Sequence, residues 1–371
     1  MKTPGVLFVS KPLVPPWTDS GKNLARDIAA AGERYCYHVL GTPGADAPGP
    51  NAVVEPVYSQ SGIYAAGIKQ NIPVFKRLLK PDRLPLYHFF FAPNKRTSQV
   101  ARTVLFFKNR KTVHTICSVP RSFDNIDSLL FSDVVIALSR DTRSKLQEKT
   151  ERRVEHIPPC VPLGPPVSAQ RKQDALESLA LPAGVPLVLF AGDLEFGRAA
   201  SVCVEALEAI LSGSNSHFVF ACRLKTEAAQ AAEEKIRSQV ASQEWASRVH
   251  FHNEVSDMEA LAAAVTLNVL PADTLYAKMD IPLVLLESLR EGVPVVVSDH
   301  GPLAELLDRD VGAKVSTGDS GEFAQAVTTL LGDDAARMAK GEAGHRLVRE
   351  VYAPEVVGAA YERIYDELLQ Q

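Results

Sequence analysis

Residues Lys278 to Glu305 read KMDIPLVLLESLREGVPVVVSDHGPLAE. Pro282 stands ahead of the apolar run Leu283–Leu289, which predicts a helix with proline near its start, where the missing N–H is not needed, and with Asp280 as its cap. The turn before Pro282 then offers free backbone donors and the positive end of the helix dipole to an anion, a phosphate above all. Glu287 lies on the following turns, where a carboxylate can accept two hydrogen bonds from a ribose. Gly292-Val-Pro294 ends the helix. Val293–Val297 is apolar throughout and predicts a strand buried on both faces. Ser298, Asp299 and Gly301 place a polar loop at its carboxyl end, where open α/β sheets bind ligands. The combination suits a sugar nucleotide.

Outward from this stretch, strand-like runs alternate with helical patterns. Towards the N-terminus they are Val6–Val9, the helix Gly21–Ala31, Tyr35–Leu40, Leu84–Phe91, Thr112–Thr115, Val134–Ala137 and Val154–Ile157, with Ser139 placed to cap the helix before Leu146. The prolines of Pro158-Pro-Cys-Val-Pro-Leu-Gly-Pro-Pro166 remove donors and fix φ, so neither regular structure crosses them and a linker is predicted there. A second alternation follows, with strands at Leu187–Ala191, His217–Cys222, Val249–His252, Leu267–Leu270, Val293–Val297 and Ala313–Val315. Helical patterns run from Gly321 to the end. The expected fold is α/β, two doubly wound Rossmann-like domains of parallel sheet facing across a cleft. Residues 1–163 form the first, 164–350 the second, and 351–371 a terminal helix.

A chain of 371 residues with 46% hydrophobic content can bury two ordinary cores. No apolar run reaches membrane-spanning length and the N-terminus lacks a signal-peptide layout, so a cytoplasmic protein is expected. Five cysteines without metal spacing or an even count predict reduced, buried thiols. Up to Leu163 there are 23 Lys and Arg against 13 Asp and Glu, +10, and beyond it 17 against 31, −14. The basic half suits an anionic partner, and a peripheral place at the inner face of an anionic membrane is a companion expectation. Tyr64–Arg83 sets Ile68, Ile72, Val74, Phe75, Leu78 and Leu79 among Lys69, Lys76, Arg77 and Lys80, a candidate for that surface, with Pro73 expected to interrupt its helix. Nucleic acid is not expected, since the basic residues are not interleaved with stacking aromatics.

The stretch around Glu287 resembles the donor-site signature of the retaining, two-domain GT-B glycosyltransferases of family 4. Glu287 matches the second of that family's two glutamates, and Gly292, Pro294 and Glu305 match the turns that follow. Position 279 is Met where the first glutamate would stand. Asp280-Ile281-Pro282-Leu283 occupies the place of the family's Gly-rich turn, so the resemblance sets Ile281 and Leu283 against the donor and makes Asp280 a shifted substitute near the transferred sugar. It implies metal-independent transfer of a sugar from a nucleotide donor to a glycan, lipid-linked or small-molecule acceptor, in glycan or glycolipid biosynthesis, with a terminal helix that crosses back to the first domain.

Other segments follow the same resemblance. Ala191-Gly-Asp-Leu-Glu-Phe-Gly-Arg198 opens a helix after a strand. Gly192 and Leu194 match the family's Gly-Arg-Leu turn, Arg198 keeps the charge of its lysine, and Asp193 replaces its arginine. Arg198, Arg223 and Lys225 are expected to neutralise the departing diphosphate together. Asn253 and Val255 look like the segment that holds the nucleobase. In the first domain, Ser20 and Gly21 permit a tight turn with exposed amides beside the diphosphate. His114 matches a histidine held near the transferred sugar, where it could donate to a hydroxyl or polarise an acceptor; His88, followed by Phe89–Phe91, is expected to be packing. No Asp-x-Asp and no His/Cys cluster stands at ligand spacing, so no metal or other cofactor is expected. Two further readings compete: a glycan-binding or partner subunit with a decayed donor site, and a nucleotide-sugar epimerase.

Overall fold

A computed structural model describes residues 3–59 and 68–370. Its contacts divide the chain into two compact units, Met1–Pro162 with Tyr276–Pro282 and Val351–Gln371, and Leu163–Leu275 with Leu283–Glu350. The break between Pro162 and Leu163 falls inside the proline-rich run.

In the first unit the order is β1 (Gly5–Val9), α1 (Ser20–Ala31), β2 (Cys36–Gly41), β3 (Ala52–Pro56), α2 (Ile68–Leu79), β4 (Leu86–Phe90), α3 (Lys95–Lys108), β5 (Lys111–Thr115), β6 (Val134–Ala137), α4 (Arg140–Gln147) and β7 (Arg153–His156). The seven strands form one parallel sheet in the order β3-β2-β1-β4-β5-β6-β7. Sequence periodicity passes over β3, because five residues ending in Glu-Pro carry little alternation and the strand exists only by pairing with β2 at the sheet edge. Pro73 does not interrupt α2 as expected: the helix runs through it, and the missing N–H costs one hydrogen bond in its second turn. Of the candidate surface segment, residues 64–67 lie outside the described residues.

The second unit carries α5 (Ala169–Ser178), β8 (Leu187–Phe190), α6 (Ala199–Ser212), β9 (His217–Ala221), α7 (Glu227–Ala241), β10 (Val249–His252), α8 (Met258–Ala264), β11 (Leu267–Leu270), α9 (Leu283–Arg290), β12 (Val295–Ser298), α10 (Pro302–Leu306), β13 (Gly312–Val315), α11 (Ser320–Gly332) and α12 (Asp334–Leu347). Its six strands are parallel in the order β10-β9-β8-β11-β12-β13. The three central strands β8, β11 and β12 read LVLF, LNVL and VVVS and are buried at every position, as sheets covered on both faces require.

The last helix, α13 (Pro354–Gln370), belongs to the first unit. Its Glu362, 3% exposed, accepts from the backbone N–H of Glu33 (2.9 Å) and Arg34 (2.8 Å) and from the Tyr37 hydroxyl (2.8 Å). Tyr365 meets the Nδ1 of His88 at 2.6 Å, and Thr115 Oγ1 meets its Nε2 at 2.8 Å, so His88 is a hydrogen-bonded core residue. Of the five free cysteines, four are buried. No helix among the described residues is long and apolar enough to cross a membrane.

Candidate functional site

Both sheets place their strand ends by topology. Because all strands within a sheet are parallel, every loop after a strand emerges at one edge, and a crevice opens where neighbouring loops diverge to opposite faces. In the second unit that switch point lies between β8 and β11. The loop after β8 carries Gly192, Asp193 and Arg198; the loop after β11 carries Asp273. They are joined: the Arg198 N–H donates to Asp273 Oδ1 at 2.7 Å.

Gly197, at φ +69°, makes this junction possible, since a Cβ there would lie 2.2 Å from Asp273 Oδ1. Gly192 is equally constrained, with its missing Cβ 2.2 Å from the Phe190 ring. Arg198 flanks the N-terminus of α6, and its guanidinium is exposed, within 3.7 Å of Glu205 and beside the Gly318 turn that follows β13. Arg223 and Lys225 follow β9 and are exposed, while Asn253 follows β10 and donates to Glu233 at 3.2 Å. Val255 packs, partly buried, against the core of the second unit. The sheet thus brings Gly192, Asp193, Arg198, Arg223, Lys225 and Asn253 to one edge. Asp273 was missed in the sequence; a lone polar residue after a buried strand is its only signal.

Glu287 sits on α9, partly exposed, between buried Leu286 and Ser288. α9 is held rigidly. Asn268 of β11 donates to Ser288 Oγ at 2.9 Å, and Ser288 donates to the Ala262 carbonyl at 3.3 Å. At its end Gly292 adopts φ +76°, with Val293 N–H donating to the Ser288 carbonyl and Gly292 N–H to that of Leu289, a Schellman cap. Val293 and Pro294 therefore belong to the cap, and the strand begins at Val295. Leu283 opens α9 directly, so Pro282 precedes the helix instead of occupying its first turn. Glu305 lies in α10, entered through Gly301 at φ +62°.

Tyr276–Pro282 corrects the sequence division, which assigned it to the second domain. Val119 donates to the Lys278 carbonyl at 2.8 Å and Ala277 to the Val119 carbonyl at 3.1 Å, which ties the segment to the first unit. Within it Asp280 and Ile281 are each 1% exposed. Ser139 accepts from Thr142 N–H at 3.0 Å as the cap of α4, and its hydroxyl donates to Asp280 Oδ2 at 2.6 Å. One serine so links a helix start to a buried carboxylate, which anchors the segment.

Two expectations in the first unit are revised. Ser20 and Gly21 form the first turn of α1, not an open turn: Asp19 caps the helix, accepting from Lys22 N–H at 2.9 Å and pairing with the Lys11 ammonium. Burial alone would raise the Asp19 pKa, but Lys11 and the Lys22 amide outweigh it and hold the carboxyl below its ordinary value. That helix end already holds its own anion. Gly21 serves packing, its missing Cβ 3.0 Å from Cys117 Cβ. His114 has no exposed surface, its ring lies against Phe91 and Phe131, and its Nε2 meets the Phe91 carbonyl at 3.0 Å. Burial pulls its pKa down to about 4, so the imidazole is neutral at pH 7 and sits inside the core instead of at the mouth of a site. Among the described residues no three His, Cys, Asp or Glu side chains converge as metal ligands.

Two Rossmann-like units of seven and six parallel strands define the GT-B class of glycosyltransferase fold. Residues 185–333 match the family described as Glycosyl transferases group 1. A phosphatidyl-myo-inositol mannosyltransferase from Mycobacterium leprae is 33% identical over 135 residues, 36% of this chain and 35% of that protein. An exopolysaccharide phosphotransferase from Streptomyces coelicolor is 32% identical over 111 residues, 29% of this chain and 11% of its own length. The matched stretches thus span about a third or less of these relatives. Solved structures share the fold: Anabaena HepE in complex with UDP-glucose (TM-score 0.76, 17% identity, 98% of this chain and 99% of that one) and sucrose-phosphate synthase from Thermosynechococcus elongatus (0.74, 18%, 99% of each).

Proposed function

We propose that this chain is a glycosyltransferase that moves a sugar from a nucleotide donor to an acceptor hydroxyl with retention and without a metal, in glycan or glycolipid biosynthesis. One observation carries this reading: at the switch point of the second sheet the exposed Arg198 guanidinium stands at the start of α6, beside the loop after β11 that its backbone N–H joins through Asp273, while Glu287 stays partly exposed on α9. The family match over 185–333 supports it, and the Mycobacterium relative supports a lipid-linked acceptor as one candidate.

In this reading Glu287 accepts from the two ribose hydroxyls. The amides at the start of α6, with Arg198, Arg223 and Lys225, take up the negative charge that grows on the departing diphosphate oxygen. The acceptor attacks from the leaving-group face, so its proton passes to that oxygen and no enzyme nucleophile is used. Asp280 holds Tyr276–Pro282 in place through Ser139, and buried His114 orders the end of β5.

Calorimetry against UDP-, GDP-, TDP- and ADP-sugars tests this. Wild type is expected to bind one donor, and Glu287→Ala to lose two charge-assisted hydrogen bonds, roughly a hundredfold or more in affinity. If no nucleotide sugar binds wild type, the donor site is decayed and the chain is a binding subunit. Equal binding by Glu287→Ala removes the assignment of Glu287.

A further inference from the structure

Between Glu55 and Asp124 the chain carries twelve Lys and Arg and a single acid, Asp82. The two helices in this interval share a second peculiarity. Of the ten large hydrophobic residues left exposed among the described residues, six belong to them: Ile72, Phe75 and Leu79 of α2, and Val100, Phe106 and Phe107 of α3. Phe106 and Phe107 are 83% and 77% exposed, edge to face with each other.

The two patches are neighbours. Lys108 of α3 donates to the Lys80 carbonyl at the end of α2, and the opposite sides of the helices bury Leu78 and Val104 in one core cluster. Asp82 is spent on Arg77, which also holds Glu55. Lys76, Lys80, Arg83, Lys95 and Arg96 are exposed and form no ion pair with any described residue. An aromatic pair standing in water costs free energy that core packing does not recover, and cations without acids around it repel one another. Both costs vanish against a surface that is apolar within and anionic at its rim.

We propose that the outer face of α2 and α3 docks on the surface of an anionic lipid bilayer, with Phe106 and Phe107 entering the headgroup–acyl boundary and the surrounding lysines and arginines meeting lipid phosphates. Charge decides this occupant over a second copy of the chain, since two such faces would bring like charges together. The inference stands whether or not the glycosyltransferase reading holds.

The test is flotation of the full chain with vesicles of phosphatidylcholine alone or mixed with phosphatidylglycerol, at low and high salt, beside light scattering of the free protein. Wild type is expected to float with the mixed vesicles, to release in high salt, and to be monomeric. Phe106→Ser with Phe107→Ser is expected to lower partitioning roughly a hundredfold by removing two inserted rings. Lys80→Glu with Arg96→Glu should lower it roughly fivefold or more per site. Wild type that ignores mixed vesicles, a double serine variant that floats like wild type, or a dimer that this variant dissolves would each overturn the proposal.

Discussion

Replacing Glu362 by alanine should loosen the first unit while leaving the second intact. This carboxylate comes from the far end of the sequence, yet at 3% exposure it accepts from two backbone amides, Glu33 and Arg34, and from the Tyr37 hydroxyl, with the Arg34 guanidinium 3.0 Å from its second oxygen. Removing it strands three donors in the interior, each costing about 1–3 kcal/mol when unsatisfied. Water entering beside half-exposed Arg34 relieves part of this, so about 3–5 kcal/mol is expected. Glu362→Gln keeps an acceptor oxygen and should cost about 1–2 kcal/mol. The chain has two tryptophans, Trp17 in the first unit and Trp245 in the second, so single-tryptophan variants follow each unit separately during urea unfolding. The Trp17 midpoint should fall strongly in Glu362→Ala and the Trp245 midpoint should stay. A Trp17 transition within about 0.5 kcal/mol of the parent would refute the view that the terminal helix is pinned by this carboxylate.

Two further predictions concern packing and pH. A Cβ at Gly341 of α12 would lie 2.1 Å from the Gly292 carbonyl oxygen, backbone against backbone, so Gly341→Ala must push α12 off the cap of α9. A cost of about 2–4 kcal/mol is expected in the Trp245 transition, together with weaker donor binding if Glu287 is displaced; an unchanged transition would show that α12 yields freely. His114 takes a proton near 6.5 when unfolded but only near 4 when folded, because burial disfavours its charged form. Between those values the unfolded chain holds the extra proton, so stability present at neutral pH falls as pH falls, by about 1.4 kcal/mol per unit from this group. His114→Gln should flatten the stability profile between pH 6.5 and 4 relative to wild type. Parallel profiles would mean the buried imidazole does not resist protonation.

Much of this architecture is legible in the chain itself. Strands such as Val134–Ala137 and Leu187–Phe190 lie where their unbroken apolar runs predict, because burial on both faces leaves no room for polar alternation. The caps Ser139 and Gly292 are equally local signals. The edge strand β3 is not, since its pairing comes from β2 and not from its own composition.

The candidate site divides along the same line. Sequence marked Gly192, Arg198, Arg223, Asn253 and Glu287, and parallel topology suffices to carry the loops of the first four to one edge. It could not show that His114 is enclosed by Phe91 and Phe131, or that Asp280 turns to Ser139. Nor could it show that Tyr276–Pro282 belongs to the first unit, whereas the return of α13 to that unit is what the family resemblance implied. Strand periodicity and helix caps depend on neighbours within a few residues and so can be read from the chain. Which carboxylate is sealed and which stays open depends on partners 141 residues away, as for Asp280, or 329, as for Glu362, and only the folded chain brings those together.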